Sequence, residues 1–143
     1  MFCFCSFPSP PSPAVAKGAG VCYNTKKSKG VLAMFLDFSS IPETAVPHFK
    51  GGEGQALVRK YEDAQGKILQ LTLPAGSSIG SHVHEGNFEV MYFLSGTGVC
   101  TDDGLAVDVR PGMTHYCPPG HSHSVVNTGS EPLVIWAAVP NVK

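Results

Sequence analysis

Turn-forming residues recur so often along this chain that no helix of useful length fits between them. The runs DAQG, PAGS, EGN, SGTG, TDDG, RPGM, PPG and NTGSEP place Gly, Pro, Asn and Asp at short intervals from residue 63 onward. Such residues end strand ladders: Gly accepts positive φ, Pro lacks an N–H, and Asn and Asp bond to their own backbone. Between them stand period-two or apolar segments, among them QALVRKY (Gln55 to Tyr61), KILQLTL (Lys67 to Leu73), FEVMYFL (Phe88 to Leu94) and LVIWAAV. The pattern predicts an all-β domain of roughly seven to nine short antiparallel strands, a β-sandwich or barrel. Charged residues at 15%, with sixteen Gly and twelve Pro, agree with it, since soluble domains average about 25% charged.

The 143 residues have room for one domain of ordinary size with a tail. Residues 1–33 hold Cys3, Cys5, Cys22, four prolines, four lysines and no acid, a composition that builds no core. They are expected to be a disordered extension, with the domain proper at 34–143 beginning on a strand MFLDF. Pro8, Pro10, Pro11 and Pro13 break the apolar start that a secretory signal needs, and the absence of Arg before Arg59 argues against a transit peptide. The preferred reading is a start codon assigned too early: Lys29, Gly30 and Val31 can be encoded by a purine-rich ribosome-binding sequence just ahead of Met34. An intact-mass measurement of the native protein decides it.

Six basic and eleven acidic residues make the domain mildly acidic, which offers no footprint for a phosphate backbone, so nucleic acid is not an expected partner. No apolar run approaches the roughly 20 residues of a membrane helix, and no membrane role is expected. Only Cys100 and Cys117 fall within the domain. They form no disulfide framework, and a reducing cytoplasm is the expected compartment.

The chemistry concentrates in two segments. His82 and His84 stand two apart on a strand, so both imidazoles leave one face and can bind one ion together. On FEVMYFL, alternation puts Glu89 on the face of Met91 and Phe93, where an unpaired carboxylate would cost several kcal/mol; a cation shared with the histidines resolves that cost. His123, entered through a Pro-Pro-Gly turn, is placed to supply a fourth ligand. Three imidazoles and one carboxylate suit one divalent transition metal ion, Mn or Fe favoured, with Zn, Ni and Co also compatible. An octahedral ion would keep two positions open for water or substrate.

At these residues the chain resembles the cupin superfamily of small jelly-roll barrels. Gly76, His82, His84, Glu89 and Gly96 satisfy every position of the family's first motif, and Gly112, Pro118, Gly120, His123 and Asn127 every position of its second. The resemblance implies a double-stranded β-helix, a metal site at His82, His84, Glu89 and His123, and a homodimer, for which MFLDF would be the edge strand in need of a partner. It implies no single reaction. Glu89 sets the chain apart from the superfamily's three-histidine thiol dioxygenases. The functional expectation is a metal-dependent enzyme of lyase, isomerase or oxygenase type acting on a small carboxylate or sugar-derived substrate, anionic or polyhydroxylated. The alternatives are a non-catalytic metal-dependent binding or sensing module and a purely structural metal site.

Other residues carry two readings each. His115 faces inward with Cys117, as a general base or a partner of a ligand, or else as a core histidine. Either Arg59 or Lys60 must face inward, and Arg59 there would offer a carboxylate fork. His121 and His48 read as surface and loop residues, Glu85 and Asn87 as loop polarity with lining of the site's entrance as the alternative, Tyr92 and Tyr116 as packing with a phenol donor to a bound anion as the alternative, Trp136 as core, and Cys100 and Cys117 as small buried apolar groups.

Overall fold

The computed structural model describes residues 22–24 and 34–142, so most of the expected disordered extension lies outside the described residues. Its elements are β1 (Cys22–Asn24), β2 (Met34–Leu36), β3 (Thr44–Pro47), a 3-10 turn (Phe49–Gly51), β4 (Gln55–Asp63), β5 (Gly66–Leu73) and β6 (Ser78–Val83). There follow β7 (Glu89–Ser95), β8 (Gly98–Asp102), β9 (Leu105–Val109), β10 (Thr114–Cys117), β11 (Ser122–Val126) and β12 (Leu133–Pro140). Ten strands, β3 to β12, form two antiparallel sheets in the orders β10-β7-β12-β5-β4-β3 and β6-β11-β8-β9. This is the double-stranded β-helix, and the 3-10 turn is the only helical element among the described residues.

Two expectations about the strands need correction. The strand expected over MFLDF stops at Leu36, because the Asp37 carboxylate turns the chain by accepting from the Ser39 N–H (2.9 Å) and hydroxyl (2.6 Å). It pairs with β1 alone, within the stretch expected to be disordered, and not with the barrel. The edges of the six-stranded sheet are β3 and β10. Trp136, expected in the core, is 36% exposed. Alternation along β12 buries Leu133, Ile135, Ala137 and Val139 and turns Trp136 outward, opposite Tyr92 on β7. Strand parity outranks side-chain bulk here.

The core lies between the sheets, with Leu71, Leu73, Met91, Phe93, Leu133 and Ile135 fully buried, each contributing about 1.5–3 kcal/mol by leaving water. Asn127, 1% exposed, closes one end of the core. Its amide donates to the carbonyls of Leu73 and Glu131, both at 2.8 Å, and its oxygen accepts from the Gly129 N–H at 2.9 Å. This motif residue is a clamp on the β11–β12 turn. Gly96 is fixed by the same packing: at φ 79, a Cβ there would stand 2.5 Å from the Pro132 carbonyl.

The feature that shapes the site is an irregularity in β6. His82 pairs with His123 and Ile79 with Val125 on β11, so three steps on β6 match two on its partner. The extra residue is a β-bulge at Gly80–Ser81, which resets the alternation. Ile79 and His82 therefore both face into the barrel although they are three apart.

Candidate metal centre

The four candidate ligands come from three strands, His84 standing just beyond the end of its own. His82 lies on β6 with His84 just beyond it, Glu89 opens β7 in the other sheet, and His123 stands on β11 directly opposite His82. His84 Nε2 lies 3.0 Å from His123 Nε2 and 3.1 Å from Glu89 Oε2. His123 Nε2 lies 3.2 Å from His82 Nε2 and 2.9 Å from Glu89 Oε2. One ligand atom from each of the four falls within 4.8 Å of the others. Glu89 is 6% and His123 2% exposed.

The far nitrogens fix which lone pairs point inward. His82 Nδ1–H donates to the Gly80 carbonyl at 2.9 Å and His84 Nδ1–H to Asn87 Oδ1 at 2.6 Å, which leaves each Nε2 free to ligate. Lone pairs this close repel unless a proton or cation lies among them. At a metal–nitrogen distance of about 2.1 Å, cis positions of an octahedron stand ~3.0 Å apart and tetrahedral positions ~3.4 Å apart. The observed 3.0 Å matches the former and the observed 3.2 Å lies midway between the two. The residues present therefore fit one ion.

Electrostatics agrees with a cation-seeking set. Burial alone would raise the Glu89 pKa, but hydrogen bonds from His123 and His84 outweigh it and hold the carboxyl at about 2. The Glu89 carboxylate raises His84, whereas burial, then the neighbouring His123 and Lys50 charges, lower His82.

Of two cavities near this cluster, one borders it directly and the other is linked to it through His115, which stacks on His123. The larger, about 760 Å³, is lined by His82, His84 and Glu89 at its inner end and by β3, the 3-10 turn, β4, β5 and β6 along its walls. The smaller, about 110 Å³, is lined by Cys100, Asp102, His115 and apolar residues of β7, β9 and the β9–β10 connection.

His115 faces inward as expected, yet it opens on the smaller cavity. Its ring stacks on His123, centroids 5.2 Å apart, and burial lowers its pKa. His115 Nε2, His123 Nδ1 and Asp102 Oδ1 are buried with no protein partner. Of the β4 pair, Lys60 lines the large cavity, while the Arg59 guanidinium donates to the carbonyls of Phe38 (3.1 Å), Ser39 (3.3 Å) and Ile41 (2.8 Å) and pairs with Glu43 at 3.5 Å. Arg59 thus braces the β2–β3 connection and makes no carboxylate fork. His121 is exposed and pairs with Asp103, and His48 Nδ1–H donates to the Gly52 carbonyl, 3.0 Å away, within its loop. Cys100 and Cys117 are buried free thiols.

Two residues acquire roles that the sequence did not give them. Asn87, read there as loop polarity, holds His84; its place three residues after that histidine was the available signal. Lys50 lines the large cavity, and nothing in PHFKGGEG marked it.

Comparison with known proteins gives a family model described as a cupin domain that matches residues 69–139. An oxalate-binding protein of Thermotoga maritima is 35% identical over 112 residues, covering 74% of this chain and 93% of that protein. The crystal structure of a predicted oxalate decarboxylase from Thermotoga maritima superposes with a TM-score of 0.73 at 31% identity, covering 76% of this chain and all of that one. A glucose-6-phosphate isomerase of Thermococcus gammatolerans is 38% identical over 64 residues, which span 41% of this chain and 34% of that enzyme.

Proposed function

This chain belongs to the cupin family, and from that premise we propose that it is a metal-dependent enzyme acting on a small carboxylate. One divalent transition ion, Mn or Fe favoured, is held by His82, His84, Glu89 and His123. The observation that carries the reading is the large cavity bordering this donor set, with His82, His84 and Glu89 in its lining and His123 within 3.2 Å of each of them. When bound, the ion supplies Lewis-acid polarisation of a carboxylate or carbonyl oxygen. The chain's own contribution is to orient His82 and His84 through Gly80 and Asn87, to keep Glu89 ionised, and to exclude water with apolar walls. The anionic ligand of the oxalate-binding relative supports the substrate class.

A second reading, metal-dependent binding without turnover, is favoured by one observation: His115, the proton-transfer candidate, lies outside the ligand cavity. The geometry supports His115 as a positioning residue behind His123. A homodimer is proposed through the outer face of β10, β7 and β12, where Tyr92, Leu94, Tyr116 and Trp136 are exposed, Tyr92 lying opposite Trp136. Among the described residues no helix is long and apolar enough to cross a membrane, and a cytoplasmic setting remains the proposal from cysteine usage.

Elemental analysis of the purified protein, followed by a turnover screen of the metal-loaded form against carboxylates with and without O₂, tests the reading. The expected result is close to one ion per chain, abolished in His84→Ala without loss of fold. A folded sample that takes up no Mn, Fe, Co, Ni or Zn would overturn it, and saturable carboxylate binding with no product would select the second reading.

A further inference from the structure

The cavity in front of the donor set is much larger and more apolar than a small dianion needs. It encloses about 760 Å³, whereas oxalate takes about the space of three waters, roughly 90 Å³ at ~30 Å³ each. Val46, Phe49, Val58, Leu69, Leu71 and Ile79 line it, and Ile79 is there only because the β6 bulge turns it inward. The single hydroxyl in the lining is Thr44. The other polar side chains of the lining are Lys50, Lys60, Lys67, Glu85, Asn87 and the donors themselves, so hydroxyls pressed on the apolar wall would go unpaired there, at a cost that an alkyl chain avoids.

The charge on the cavity is placed with equal economy. Lys60 and Lys67, both in the lining, share Glu62 at 2.7 and 3.5 Å. Lys50 has no carboxylate within ion-pair distance among the described residues, and its charge is felt by His82 and His84. Its backbone is left-handed, φ 56 and ψ 26, next to a left-handed His48 at φ 49. The seat of this turn allows no slack: a Cβ on Gly80 would stand 2.1 Å from the Lys50 carbonyl, and one on Gly52 2.3 Å from the Ser78 carbonyl. Two strained residues kept beside a cavity, locked against the bulge that also aims His82, mark a place where conformation serves a ligand.

We propose that this cavity binds an amphipathic monocarboxylate, its alkyl body along Phe49, Leu69, Leu71 and Ile79 and its carboxylate at the inner end beside Lys50. The proposal rests on the metal reading only for the second contact of the carboxylate; the apolar walls and Lys50 are independent of it. The test is calorimetric titration of the full chain with oxalate, butanoate, hexanoate and octanoate, with and without added Mn(II), metal content being measured on each sample. Affinity should rise by up to about fourfold per added methylene from butanoate to octanoate, with oxalate the weakest ligand. Lys50→Met should lower octanoate affinity about tenfold while leaving metal content and the dependence on chain length unchanged.

Equal affinities across the series, or oxalate tighter than octanoate, would overturn the proposal whether or not Mn(II) is bound. A rising series in a protein that takes up no metal would uphold it and refute the metal reading alone.

Discussion

Replacing Asn87 by Leu separates a positioning role from mere loop polarity. Asn87 Oδ1 accepts the His84 Nδ1–H at 2.6 Å, while the backbone of the residue is held by a bridge to Asn141, so the loop should keep its course without the amide. Leaving the imidazole N–H without its partner costs roughly 1–3 kcal/mol, the upper end applying where water cannot replace it. His84 is buried but Asn87 is only partly so, which favours the lower part of that range. The expected loss in metal affinity is therefore about tenfold to thirtyfold, within the 10- to 100-fold usual for a ligand's outer partner. A chelator-competition titration reads it directly, with Asn87→Asp as the control, because a carboxylate keeps an acceptor on Nδ1 and should hold affinity at or above the original. Affinity for Asn87→Leu within twofold of the parent, or equal loss in Asn87→Asp, would refute the reasoning and return Asn87 to loop polarity.

Further outcomes follow from the same geometry. His115→Gln should lower metal affinity about 10- to 100-fold in chelator competition; full metal with turnover reduced by about 10² to 10⁴ would instead make it a general base. Asn127→Ala strips partners from two carbonyls and one N–H, a cost of about 3 kcal/mol, and should lower the thermal midpoint by roughly 10 °C; an unchanged midpoint contradicts the clamp. Burial pushes the thiols of Cys100 and Cys117 up to about 12 and about 11, so near pH 8 their thiolate fractions are about 10⁻⁴ and 10⁻³ and peptide mapping should find both unalkylated in the folded protein. Because these pKa values exceed the unfolded value near 8.5, the stability they confer is complete below that pH and is lost as pH rises toward 11–12, which an alkaline series of unfolding curves would show. Light scattering at micromolar concentration should give a dimer that Tyr92→Lys with Trp136→Lys converts to monomer, and a monomeric parent protein would contradict the proposed interface.

The parts of the fold legible in the sequence are those written in period two and in turn chemistry. Glu89, Met91 and Phe93 are buried on one face of β7 as alternation requires, with Val90, Tyr92 and Leu94 on the other. Strand parity also aims His82, His84 and Glu89, but β6 and β7 lie in different sheets and do not pair, so their convergence comes from a connection that crosses between the sheets and from the pairing of β6 with β11, which brings in His123. Features set by the partner strand or by local backbone strain were not legible. The bulge at Gly80–Ser81 appears only against the register of β11. Lys50 enters the cavity through a left-handed φ that a lysine seldom adopts, and His115 faces inward as its parity says while the identity of the cavity it meets depends on which side of His123 β10 passes. Trp136 shows the converse error, in which a residue type was weighed above the parity that its own strand displayed.

The donor set and the cavity walls belong to different parts of the chain, and this bears on what similarity can say about substrate. The donors come from β6, β7 and β11, held by Gly80, Asn87 and the pairing of His82 with His123. The walls come mainly from β3, the 3-10 turn, β4 and β5, and those elements touch the donors chiefly through the contact of the turn with β6. A change of wall residues, for example Leu71→Ala, enlarges the ligand space without moving any of the atoms that set Nε2 direction or Glu89 charge. The space offered to a ligand can therefore change through residues on β3 to β5 while the donor set stays as it is. The family match begins at Leu69, within β5, so it covers all four donors and leaves out most of these walls. The substrate of this chain is for that reason better argued from Lys50, Phe49 and the wall leucines than from the motif that identifies the fold.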